Sequence, residues 1–133
     1  MHTISEKDLI LVNKYLRKKL SPYLIILFGS AVKGTFKETS DLDIAFLSDI
    51  SHDDYDLFMI GQGLTDMIDK EVDLIDLSKA STVFQAQILS TGKEIFCNDP
   101  DKKRLFQVLT YKKYAKLNEE REPILLKAKR GLL

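Results

Sequence analysis

A single cysteine, Cys97, stands in the 133 residues, so no disulfide forms within the chain, and a reducing cytoplasm is the expected compartment. Apolar runs are short, and none approaches the roughly 18 residues that a bilayer span needs. The opening MHTISEKDLI lacks a basic stretch followed by an apolar one, so no secretory signal is read there. A surplus of charge is missing too: 20 Lys+Arg balance 20 Asp+Glu, which removes the footprint of a domain built to bind nucleic acid. No repeat, low-complexity tract or interdomain linker breaks the chain.

What remains is ordinary globular composition, 44% hydrophobic and 30% charged, with room for one core. The expectation is a single domain over 1–133, with a C-terminal helix and a basic tail from about residue 100. Charge is unevenly spread. Sixteen acidic residues outnumber ten basic ones in the first hundred positions, and ten basic outnumber four acidic in 101–133. A basic tail can grip an acidic surface, though a solvated helical face is the commoner reason for one.

Hydrophobic spacing sets the elements. SEKDLILVNKYLRKKL reads as a helix capped by Ser5 and closed by Ser21-Pro22. YLIILF, residues 23–28, is a short continuous apolar run and hence a buried strand. DLDIAFL is a second strand, and residues 53 to about 69 have helical spacing, weakened by Gly61 and Gly63. EVDLIDL, 71–77, is a third strand. STVFQAQILSTG reads as a helix, KEIFC as a fourth strand, and a long helix runs from Asp99-Pro100 to about Asn118, with Pro123 limiting it. This order predicts an α/β (α+β) domain: a mixed sheet of about four strands with helices mainly on one face.

Two aspartates inside an apolar strand are the anomaly, because charged side chains are rarely buried without a partner or a ligand. Alternation puts Leu42, Ile44 and Phe46 on one face and Asp41, Asp43 and Ala45 on the other. In the third strand Val72 and Leu74 share the packed face, and Asp73 takes the other face with Glu71. Asp76 has the opposite parity and reads as a strand-end residue. If the two strands pair, Asp41, Asp43 and Asp73 converge, and such hard oxygen ligands suit Mg²⁺ completed by water and phosphates.

Directly after the first strand, Gly29 permits close backbone approach, and Ser30 opens the turn that follows. Exposed amides and a hydroxyl there suit an anionic oxygen, and Lys33 can add a cation. The turn is no P-loop: Gly29-x4-Gly34 has the spacing, but Thr35-Phe36 stands where Lys-Ser/Thr is needed, and GxGxxG is absent as well.

The combination of GSAVKGTFKETSDLD with VDLIDL on a later strand resembles the signature of the DNA polymerase β-like nucleotidyltransferase superfamily. It is most similar to the minimal nucleotidyltransferases, the MNT antitoxins that accompany HEPN toxins. The resemblance covers the whole chain. It implies that Asp41 and Asp43 bind two Mg²⁺ ions carrying ATP. Asp73 would be the third carboxylate, ligating the catalytic ion and helping to deprotonate the acceptor. Gly29 and Ser30 would hold the β- and γ-phosphates, with Lys33 and Ser40 as further nucleotide-binding candidates. One departure matters. The family motif usually reads Gly-Ser-x-Ala-Arg-Gly, and Val32-Lys33 here keeps the charge but loses the bidentate fork.

Implied also is the acceptor, a tyrosine hydroxyl on a cognate HEPN ribonuclease toxin, silenced by AMP. No membrane and no direct nucleic-acid binding are expected. Two alternatives stand beside this reading: an antitoxin that neutralises by binding alone, and a small-molecule nucleotidyltransferase of the aminoglycoside kind. The shortness of the chain after the sheet speaks against the second, because little remains to enclose a small acceptor.

Overall fold

The structure is a computed structural model that describes residues 4–37 and 39–129, with side chains as far as Arg121. His2 and the end of the basic tail lie outside the described residues. The elements are α1 (Glu6–Leu20), β1 (Pro22–Phe28), α2 (Ser30–Lys33), β2 (Leu42–Ser48), α3 (Asp54–Ile68) and β3 (Val72–Asp76), then α4 (Thr82–Thr91), β4 (Lys93–Cys97) and α5 (Pro100–Lys129). A short 3₁₀ turn, Leu77–Lys79, separates β3 from α4.

The strands form one mixed sheet in the order β3-β2-β1-β4. β1 pairs antiparallel with β2 and with β4, whereas β2 and β3 run parallel through the crossover made by α3. Helix starts follow local chemistry: the side chains of Ser5, Asp53 and Ser81 each accept the backbone N–H three residues on. Asp54 and Asp56 add negative charge to the first turn of α3, where the helix dipole favours it.

Alternation divides the core. Ile25, Leu27, Leu42, Ile44 and Phe46 pack against α1 and α3 on one face. Leu24, Ile26, Ala45 and Leu47 face the other way, against Leu77, Phe84 and Ile88, with Phe106 of α5 beside them. The expectation of helices mainly on one face holds for α1 and α3, but the second face is not open throughout. α4 and α5 pack on it, because Leu24 and Ile26 of β1 are as apolar as the side they alternate with.

Two further details differ from sequence expectation. α3 is unbroken through Gly61 and Gly63, and both glycines mark close approach. A Cβ on Gly61 would sit 3.4 Å from the Val72 carbonyl, and one on Gly63 would overlap the Tyr15 hydroxyl. α5 continues past Pro123. A proline removes one intrahelical hydrogen bond and can kink a helix, but need not end one. His52 places its ring against Phe46 and its Nε2 3.2 Å from the Leu20 carbonyl.

The first cations of the C-terminal segment are already engaged: Lys102 pairs with Asp49, Lys103 with Glu94 and Arg104 with Asp101. Among the described residues no helix is long and apolar enough to cross a membrane.

Candidate active site

β1 ends at Phe28, and the chain turns at Gly29 with φ 72° and ψ −143°. That backbone region is essentially closed to residues with a Cβ. The Gly29 carbonyl accepts the N–H groups of Val32 and Lys33, both at 3.1 Å, which winds Ser30–Lys33 into one turn of helix. The leading amides of such a turn have no partner within it and point away from its axis end. Gly34, at φ 77°, closes the turn.

The loop back to β2 is anchored by Phe36, which is buried in the core. Ser40 braces its far end: the Ser40 hydroxyl accepts the Lys37 N–H at 2.8 Å, and the Lys37 carbonyl accepts the Ser40 N–H at 3.0 Å. The Ser40 side chain thereby helps to hold the loop that delivers Asp41, and its hydroxyl retains an O–H donor. Lys33 is exposed at the end of α2.

One row of residues crosses three strands. Phe28 stands opposite Asp43 in the β1–β2 pair, and Asp43 stands opposite Asp73 in the β2–β3 pair. Facing residues of neighbouring strands point the same way, about 4.8 Å apart. Asp43 and Asp73 therefore share one face, as parity alone predicts; Asp41 stands just before β2, where its charge acts on Asp43 and it lines a groove together with Asp73. Asp43 is half-buried, while Asp41 and Asp73 are exposed. Burial, followed by the charges of Asp73 and Asp41, raises the Asp43 carboxyl above its ordinary value.

Gly29 completes the arrangement. A Cβ at that position would overlap Oδ2 of Asp43, so the phosphate-type turn and the carboxylates form one continuous surface. Among the described residues no three His, Cys, Asp or Glu side chains are closed into a ready metal cage. Asp76 stays out of the set, since its carboxylate accepts the Ser78 N–H and hydroxyl and caps the 3₁₀ turn.

Two neighbours of the site escaped sequence reading. Phe28 meets Phe84 of α4 edge to face, 5.7 Å between centroids, and forms an apolar flank beside Asp43. A groove of about 430 Å³ opens along β3, shared by Asp41 and Asp73 with Glu71 and the α3 residues Asp54, Phe58 and Gln62. The one sequence signal for it was the parity that Glu71 shares with Asp73.

The chain as a whole is similar to known proteins. The polymerase beta nucleotidyltransferase family matches residues 11–101. The protein adenylyltransferase MntA of Shewanella oneidensis is 36% identical over 126 residues, covering 94% of this chain and 88% of the relative. A toxin–antitoxin crystal structure with AMP-PNP superposes with a TM-score of 0.79 at 35% identity, over 94% of this chain and 99% of that one. A second complex, of tri-AMPylated Shewanella oneidensis HEPN toxin with MNT antitoxin, gives 0.77 at 31% identity, over 95% and 99% of the two chains.

Proposed function

The chain belongs to the polymerase beta nucleotidyltransferase family, and on that premise we propose that it is a Mg²⁺-dependent, AMP-transferring antitoxin working in the cytoplasm. Its substrates are ATP and a tyrosine hydroxyl of a cognate HEPN toxin, with which it forms a hetero-oligomeric complex, and residues 1–133 act as one catalytic domain. The similarity to MntA and to solved toxin–antitoxin complexes supports the substrate pair.

The observation that carries the chemistry is the Asp43–Asp73 register with Gly29 pressed against Asp43. Asp41, Asp43 and Asp73 would supply hard oxygen donors to two Mg²⁺ ions; burial first, and then the charges of Asp73 and Asp41, raise Asp43, and a divalent cation would offset that repulsion. Mg²⁺ held by these carboxylates would neutralise triphosphate charge and stabilise the leaving pyrophosphate. The amides at Gly29-Ser30, with the Ser30 hydroxyl, hold the β- and γ-phosphates at the β1 end of the site, and Lys33 adds positive charge.

Asp73, on the outer strand, would accept the proton of the incoming hydroxyl. The tyrosine oxygen forms a bond to the α-phosphorus, the bond from that phosphorus to the β-phosphate oxygen breaks, and pyrophosphate departs. Positioning and charge neutralisation provide most of the acceleration in such transfers. Ser40 contributes indirectly, by fixing the loop that carries Asp41.

Incubating the protein with its toxin, ATP and Mg²⁺ tests this reading. The expected result is a toxin mass gain in multiples of AMP on tyrosine, abolished by Asp41→Asn with Asp43→Asn. If that double variant protects cells as well as the wild type, neutralisation is by binding alone.

A further inference from the structure

We infer that the groove between α3 and the free edge of β3 is the acceptor channel, and that it takes a tyrosine-bearing segment of the toxin flanked by basic residues. The inference rests on the transferase reading above and adds to it a direction of approach, a binding surface and a charge for the partner.

Direction follows from the sheet order. Gly29 and Ser30 lie at the end of β1, Asp43 on β2 and Asp73 on β3, so the site is crossed in the order phosphate turn, central carboxylate, outer carboxylate. In-line displacement requires the attacking oxygen and the leaving phosphates on opposite sides of the α-phosphorus. With the leaving group on the β1 side, the acceptor comes from the β3 side. Among the described residues β3 is the edge strand and pairs only with β2, so no described strand closes that approach.

A groove is present at that place. Its volume of about 430 Å³ lies within the range of ligand-sized clefts, and it is lined by Asp41 and Asp73 of the site itself. Its other wall is α3, held close by Gly61 and by Thr65, whose hydroxyl accepts the Val72 N–H at 3.1 Å. Phe58 and Gln62, one turn apart, face the groove from that helix.

Its chemistry selects the occupant. Phe58 is 60% exposed, and Tyr55 and Met59 beside it are 69% and 49% exposed. Large apolar side chains of these types on an outer helix face are the kind enriched in protein interfaces. Asp41, Asp54, Glu71 and Asp73 give the groove four carboxylates with apolar ground between them. An aromatic ring carried on a segment with Lys or Arg neighbours complements both features, whereas an anionic nucleic acid or an acidic peptide is repelled.

The test uses the full protein with its toxin and ATP-Mg²⁺. Phe58→Ala and Gln62→Arg change exposed or half-exposed groove residues; the expected result is a tenfold or greater rise in KM for the toxin, with nucleotide binding unchanged. Asp54→Lys is expected to weaken toxin use in the same way, and the loss should shrink as salt is raised. A photo-crosslinking residue at position 58 should capture the toxin peptide that contains the modified tyrosine, while one at Ile10 should not. If the wild type transfers no AMP to the toxin, the underlying function fails. If it transfers AMP while the groove variants keep wild-type KM and position 58 captures nothing, the channel assignment is overturned.

Discussion

Gly29 lies so near Asp43 that a Cβ on the glycine would occupy the space of the carboxylate Oδ2. The turn proposed to hold phosphate and the carboxylate proposed to hold metal are thus in direct contact, and neither can be altered alone. Gly29→Ala forces both a backbone at φ 72° and a displaced Asp43. The backbone strain should cost about 1–3 kcal/mol of stability. Misplacing the carboxylate should lower AMP transfer about 100-fold. Chemical denaturation and initial rates check the two effects separately.

Removing one charge from the carboxylate row separates repulsion from catalysis. Asp43→Asn relieves the repulsion from Asp73 and Asp41, so the metal-free protein should melt about 2–4 °C higher at neutral pH. An upward shift with Mg²⁺ is expected for the wild type, and the variant should lose it, together with at least a hundredfold of transfer rate, roughly the loss on deleting one transition-state electrostatic group. A full Mg²⁺ shift in the variant, read by thermal scanning with and without chelator, would count against Asp43 as a ligand.

Lys33 is a point charge where the family motif usually carries a fork. Lys33→Arg should strengthen the hold on the triphosphate by up to one charge-assisted hydrogen bond, about 1.5 kcal/mol or roughly a tenfold fall in KM for ATP. Lys33→Ala should raise that KM, and neither change should alter the KM for the toxin. Steady-state kinetics with each substrate varied in turn distinguishes these outcomes.

At the opposite end of the sheet, Tyr23 provides a pH signature. Burial, and then the charge of Asp49, raise its phenol above the ordinary 10.0, partly offset by Lys102. The folded state favours the neutral phenol. Its contribution is therefore complete below pH 10 and lost as pH rises through the elevated folded value. Denaturation curves between pH 8 and 11 should show the wild type weakening more steeply than Tyr23→Phe. Equal slopes would remove Tyr23 from the alkaline transition.

The sequence alone determined which face each strand residue takes. Alternation is local, with a period of two, so Leu42, Ile44 and Phe46 necessarily point away from Asp41 and Asp43, and Val72 and Leu74 from Asp73. Helix starts at Ser5, Asp53 and Ser81 were equally local, each set by a side chain reaching an amide three residues on. Only the tertiary structure decided that Asp73 pairs with Asp43, because register depends on how tightly α3 returns beside the sheet through Gly61, Gly63 and Thr65. It also decided that α4 and α5 cover the second face, and that a groove reaches Asp73 from the β3 edge. Those outcomes arise from contacts between residues far apart in the chain, which no window of neighbouring positions encodes.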